Sequence, residues 1–342
     1  MTIDDAPAHG GDLGEAEAML GGKSGADHAW IDLSTGINPR PYPLPALDPE
    51  AWARLPARRD QEALIEAAAR YYEVPQGAEI VAAPGSEALI HLLPDVLPAR
   101  RIAIVGPTYG EHARAWARCG GKVRVVEEPA QAAQTADIAV LVNPNNPDGW
   151  VLPPDALLAA AAMLSKHNGW LIVDEAFADA VPGVSSVTLT ASRNVVALRS
   201  FGKFFGLAGL RLGFAVAPPA LAAKLRARLG PWPVSGPAIA IAGLALADRA
   251  WHAATRERLA KDSAALDRLL AAAGFEIVGG TPLFRLAAHE AAEDIFFRLL
   301  RAHIYVRCFS ENPNWLRFGL PEGPRAFARL KAALLDQNGG YP

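Results

Sequence analysis

The sequence predicts an α/β fold built on a largely parallel sheet. Three observations lead there. Short apolar runs of strand length alternate with longer helical runs, as in βα units. Polar residues fall just after the strand-like runs, at Ser86, Asn146, Asp174 and Ser200, with Lys203 close behind. In parallel sheets that is where ligands bind. Finally, 342 residues suffice for one large domain and a smaller one.

The elements follow in order. Residues 1–45 are rich in Gly and Pro and weakly periodic, so they read as an extended arm rather than a core element. Residues 60–72 place Leu64, Ala68 and Tyr71 on one helical face. Strands are expected at 79–83, 101–105, 123–126, 138–142, 170–173 and 195–198, and helices at 87–97, 112–119 and 157–167. Pro231-Trp232-Pro233 reads as a hinge into a smaller α+β part of alternating helices and short strands. The expected division is an arm over 1–45, a large domain over 46–230 and a small domain over 231–342.

Composition excludes several classes. A net charge of −3 gives no basic footprint for nucleic acid. No apolar run reaches membrane-spanning length, and residues 1–14 are acidic without an apolar leader core, so a cytoplasmic protein is expected. The two cysteines, Cys119 and Cys308, form neither a CxxC pair nor a zinc spacing, so no metal site is expected.

The chemistry concentrates in Ser200-Phe201-Gly202-Lys203-Phe204-Phe205-Gly206-Leu207-Ala208-Gly209-Leu210-Arg211-Leu212-Gly213. A lysine among aromatics and glycines is partly desolvated, which lowers an amine's pKa and suits a nucleophile that forms Schiff bases. Ser200 and Arg211 can converge on one anion. Gly202-Lys203 is not a Walker loop, because Phe204 stands where Ser or Thr is required.

This segment resembles the S-x-x-K-x-x-G-x-x-G-x-R-x-G motif of the fold-type I pyridoxal 5'-phosphate (PLP) enzymes, the aspartate aminotransferase superfamily. The resemblance implies a large domain with a mainly parallel seven-stranded sheet, a smaller α+β domain and an N-terminal arm. It makes Lys203 the residue that holds PLP as a Schiff base, with Ser200 and Arg211 on the cofactor phosphate. Four more motifs follow the superfamily's order. Pro84-Gly85-Ser86-Glu87 resembles the turn whose helix N-terminus binds that phosphate, where free N–H groups favour an anion. Pro107-Thr108-Tyr109-Gly110 resembles the segment whose aromatic stacks on the pyridine ring. Asn146-Pro147-Asp148-Gly149 resembles N-P-x-G, with Asn146 on the cofactor O3'. Asp174-Glu175-Ala176-Phe177 resembles D-x-A-Y, with Asp174 beside the pyridine nitrogen. There Phe177 replaces the usual Tyr, which removes one hydrogen bond to O3'.

The N-terminal part narrows the resemblance. His9-Gly10-Gly11-Asp12 together with Ser34-Thr35-Gly36-Ile37-Asn38-Pro39 is similar to the cobalamin-biosynthetic L-threonine-O-3-phosphate decarboxylase family, and Phe177 fits that branch. The resemblance implies loss of CO₂ from threonine phosphate. Arg317 would bind the substrate carboxylate and Arg307 its phosphate. His9, Gly10, Gly36, Ile37 and Asn38 would close over that phosphate, and Asn146 would also face the substrate. It also implies a homodimer, although Arg54-Leu55-Pro56 lacks the Tyr that many relatives lend across the dimer. Histidinol-phosphate aminotransferase remains the nearest alternative, and a non-catalytic PLP-fold protein the alternative from another class. His112 and His303 read as structural.

Overall fold

The computed structural model describes residues 10–21 and 29–335. The chain forms two compact units, one from residues 41–146 and 150–254, the other from residues 1–40, 147–149 and 255–342. Strands are numbered along the chain, and β1 (Ile31–Leu33) belongs to the second of these units.

The larger unit holds β2 (Glu79–Ala83), β3 (Arg101–Val105), β4 (Lys122–Val126), β5 (Ile138–Val142), β6 (Trp170–Asp174), β7 (Val195–Ser200) and β8 (Gly213–Ala217). They form one sheet in the order β2-β8-β7-β6-β5-β3-β4. The run from β4 to β7 is parallel, while β8 pairs antiparallel with both β7 and β2. The sheet is therefore mainly parallel, as expected, with β8 the strand that the sequence did not reveal. Gly213 to Ala217 is buried throughout and shows no alternation, so it merges into the glycine-rich lysine segment before it.

Helices cover both faces of this sheet. Ile138 and Val140 of β5 join one core with Leu89, Leu93 and Trp116, while Ala139 and Leu141 join another with Leu157 and Leu164. This explains the unbroken apolar run of β5, since a strand buried on both faces has no polar side. Each Val, Leu or Ile among them contributes about 1.5–3 kcal/mol on burial. The chain's division follows packing rather than the composition change at Pro231. Helix Gly236–Ala247 buries Ile239, Ile241 and Leu246 and packs on helix Arg58–Tyr71, which keeps it in the larger unit.

The smaller unit contains a five-stranded sheet in the order β1-β11-β12-β10-β9, with β9 (Glu276–Thr281), β10 (Phe284–Ala288), β11 (Ile304–Cys308) and β12 (Trp315–Gly319). The N-terminal segment is thus not simply an extended arm. Asp12 caps a helix, Leu13–Met19, by accepting from the Gly14 and Glu15 N–H groups. Strand β1 pairs in parallel with β11, and Leu33 and Ser34 are buried. Three residues of strand are too short to show a period, which is why the sequence reads as irregular there.

Candidate active site

Strand ends and helix starts of the larger unit meet around a cavity of about 220 Å³. Its lining includes Gly85, Ser86, Glu87, Tyr109, Asn146, Asp174, Phe177, Ser200, Lys203 and Arg211. The structure therefore brings together all the cofactor-binding candidates that the sequence named.

One end is built for an anion. Helix Ser86–Val96 starts at this wall, and its first N–H groups lack intrahelical acceptors. Gly85, at φ 93°, lies beside Arg211, whose Nη2 would be 2.9 Å from a Cβ at position 85. A Cβ on Gly213 would sit 2.2 Å from the Ser86 nitrogen. Gly85 suits its positive φ and leaves room for the guanidinium, and Gly213 lets the strand that follows Arg211 pass against the helix start. Arg211 itself adopts a left-handed conformation, φ 52°, at the end of the short turn Ala208–Leu210.

Asp174, at the end of β6, is 3% exposed. One carboxylate oxygen accepts the Ala176 N–H at 3.1 Å, and the other lies 2.9 Å from His112 Nε2. His112 is buried too, so this pair is shielded from water. Sequence reasoning gave His112 only a structural role. The 62 residues that separate the pair leave no spacing signal, and only the sheet order brings helix Glu111–Arg118 to β6.

Tyr109 donates its hydroxyl to Glu87 at 3.1 Å and sets its ring edge-on to His112. Burial, then the charges of Glu87 and Glu111, hold the Tyr109 phenol well above its ordinary pKa, so it stays a donor. Asn146 is half-buried in the wall, and its neighbour Asn145 is held by Thr108 and the Pro107 carbonyl at 2.6 and 3.0 Å. Lys203, half-buried in the short helix Phe201–Phe204, has its Nζ 5.8 Å from the Phe177 ring centre.

Below the site lies a buried ion network that the sequence did not indicate. Arg199 of β7 binds Glu175 at 2.5 Å and Asp179 at 2.6 Å, and Glu175 also accepts from Ser185 and Ser186. Burial alone would lower the Arg199 pKa, but the two carboxylates outweigh it and raise the group above its ordinary value. The network joins the residue after Asp174 to the residue before Ser200.

The smaller unit gathers the remaining candidates. Arg307 of β11 and Arg317 of β12 are register partners. Arg317 is 8% exposed, donates to the Ser34 carbonyl at 2.7 Å and lies over the Phe284 ring. Arg307 is half-buried, over the Phe309 ring. Gly10 packs so closely on Ser34 that a Cβ would lie 2.5 Å from its carbonyl, and the Gly11 N–H donates to Ser34 Oγ at 2.8 Å. Gly36 and Asn38 are buried and Ile37 is half-buried; Asn38 Oδ1 accepts from the Arg40 N–H and from Arg258. The two N-terminal motifs thus meet at Ser34. His9 lies outside the described residues.

Comparison with known proteins agrees with this geometry. The profile of the family "Aminotransferase class I and II" matches residues 30–327, most of the chain. The chain belongs to the class I and II aminotransferase family. Within that family it is 45% identical over 331 residues to a threonine-phosphate decarboxylase of Sinorhizobium sp, covering 95% of this chain and 97% of the relative. It is 43% identical over 309 residues to a threonine-phosphate decarboxylase of Pseudomonas aeruginosa, covering 90% and 91%. A solved structure of the family fold, the histidinol-phosphate aminotransferase of Sinorhizobium meliloti in complex with pyridoxal-5'-phosphate, superposes with a TM-score of 0.79 at 20% identity, covering 97% of this chain and 95% of that one.

The pocket fits the cofactor of this family. It offers a phosphate cradle kept open by Gly85 and Gly213, a buried carboxylate for a protonated ring nitrogen, an aromatic wall at Tyr109 and a primary amine at Lys203.

Proposed function

We propose that this protein decarboxylates L-threonine O-3-phosphate, using PLP, to (R)-1-amino-2-propanol O-2-phosphate for cobalamin biosynthesis. The observation that carries the reading is the 45% identity to a threonine-phosphate decarboxylase along almost the whole of both chains. Fold alone does not choose between the reactions open to this family.

Held in this pocket, PLP would supply an electron sink for the pair left on Cα by the loss of CO₂. Lys203 would hold the cofactor through its Nζ and afterwards return a proton to Cα from the same atom. Gly85, Ser86, Ser200 and Arg211 would hold the phosphate, and Glu87 would fix Tyr109 against the ring. Asp174, oriented by His112 and the Ala176 N–H, would keep a negative charge at the ring nitrogen. Asn146 would donate to O3' without help from position 177, because Phe177 has no hydroxyl.

Arg317 would take the substrate carboxylate and Arg307 the substrate phosphate, with His9, Gly10, Gly36, Ile37 and Asn38 closing over it. A forked guanidinium suits each of these anions. The fold supports the pairing of roles, since the two arginines are neighbours on adjacent strands. Arg317, by fixing the substrate carboxylate, would decide between loss of CO₂ and loss of a proton.

We place the enzyme in the cytoplasm as a homodimer. Among the described residues, no helix is long and apolar enough to cross a membrane. Trp52, Leu55 and Trp232 of the larger unit are each more than half exposed, which suits association better than a lone chain.

The test is a direct assay. Purified protein with PLP is given threonine phosphate, and CO₂ release is measured against amino transfer to 2-oxoglutarate. CO₂ without a requirement for oxo acid is expected. Amino transfer without CO₂ would make the protein an aminotransferase, and neither activity would point to a non-catalytic role.

A further inference from the structure

Behind Tyr109, at the edge of the cofactor cavity that Glu87 helps to line, the larger unit brings three metal-ligating side chains to one point. Glu87 and His91 lie four residues apart on helix Ser86–Val96, so they share a face. Glu111 opens the next helix, Glu111–Arg118, and faces them. One ligand atom from each lies within 4.8 Å of the others. His91 Nε2 is 3.0 Å from Glu87 Oε1 and 3.7 Å from Glu111 Oε2.

These distances bracket what a tetrahedral ion requires. Ligands at about 2.1 Å from zinc stand about 3.4 Å apart. The ring presents Nε2, since its Nδ1 is buried with no hydrogen-bond partner. Side-chain exposures of 34% for Glu87, 36% for His91 and 12% for Glu111 leave a path for an ion and room for a water as fourth ligand. Two carboxylates and an imidazole form a borderline-soft set that selects zinc-like ions over magnesium. Arg114 pairs with Glu111 through Oε1, which leaves Oε2 facing His91.

We propose that Glu87, His91 and Glu111 form a binding site for one divalent transition-metal ion of the zinc class. The site touches the cofactor pocket through a single residue. Glu87 would give Oε1 to the metal while Oε2 continues to accept the Tyr109 hydroxyl. An occupied site would therefore pin Glu87, and with it the ring of Tyr109. The assignment does not depend on which reaction the pocket performs.

The test uses chelator-treated, tag-free holoenzyme. Zinc is titrated by calorimetry, and cobalt by its visible d–d bands, which lie at longer wavelength than the cofactor absorbance. One ion per chain at micromolar affinity is expected. His91→Gln keeps a side chain able to reach Glu87 but removes the imidazole, and Glu111→Gln removes one anionic ligand. Each should weaken binding at least tenfold while the bound-cofactor absorbance stays intact. Absence of stoichiometric binding by the wild type, or undiminished binding by both variants, overturns the proposal.

Discussion

At the scale of single residues, the site separates into positions legible in the sequence and positions that only the fold reveals. Lys203, Asp174, Ser200 and Arg211, which line one cavity, were legible because the roles proposed for them, a Schiff-base lysine, a ring-nitrogen carboxylate and a phosphate cradle, demand particular residue types in a fixed order. Lys203→Ala should abolish turnover and the visible absorbance of bound cofactor, as read by spectrum and CO₂ assay. His112 was not legible, because its value lies in a contact made 62 residues away. A hydrogen bond to a buried charge is worth about 1.5–3 kcal/mol. His112→Phe should therefore lower kcat by roughly tenfold to a hundredfold, with cofactor still bound. A variant with normal kcat would show that Ala176 alone suffices to orient Asp174.

At the scale of elements, close approach and burial set the terms. Strand β8 runs past the start of helix Ser86–Val96 with only Gly213 allowing the contact. Gly213→Ala must push the Ser86 N–H away, so cofactor affinity should fall by an order of magnitude or more, measured by equilibrium dialysis. The Arg199 network ties the ends of β6 and β7 together beneath the pocket. Arg199→Leu would take the shared guanidinium from two buried carboxylates, at a cost of about 3–5 kcal/mol in urea denaturation. No spacing rule links Arg199 with Glu175 and Asp179, so this network too was invisible before the strands were placed. On β11, burial pushes the Cys308 thiol up to about 11, against the opposing pull of Arg307. The unfolded thiol ionises near 9.0. Between those values the unfolded chain releases a proton that the native one keeps, so stability falls as pH rises through that window, by roughly 2–3 kcal/mol at its end. Cys308→Ala should lose less stability than wild type between pH 8 and pH 11. In native protein at pH 8, a thiol reagent should label Cys119, which is exposed, and spare Cys308.

At the scale of the whole molecule, the alternating pattern gave the larger unit's layers and most of its strands, because strands buried on two faces announce themselves as apolar runs. The smaller unit was less legible. Its sheet takes β1 from the start of the chain and β9 to β12 from the end, and no composition change marks such a split. A fragment covering 231–342 therefore lacks a strand and contains a helix that belongs to the larger unit. It should fail to give the dispersed amide spectrum of a folded domain, whereas full-length protein refolds.

The same pairing of β1 with β11 sets an order of events during synthesis. Residues 41–254, apart from the three of the 147–149 turn, can complete their packing while the ribosome is still making the rest. Ile31 to Leu33 must wait until Ile304 to Val306 emerge, some 270 residues later. At about 5–20 residues per second that is a delay of tens of seconds. Through that interval the nascent chain carries an unpaired strand edge close to its own N-terminus, and a chaperone that shields such an edge should raise the yield of native protein.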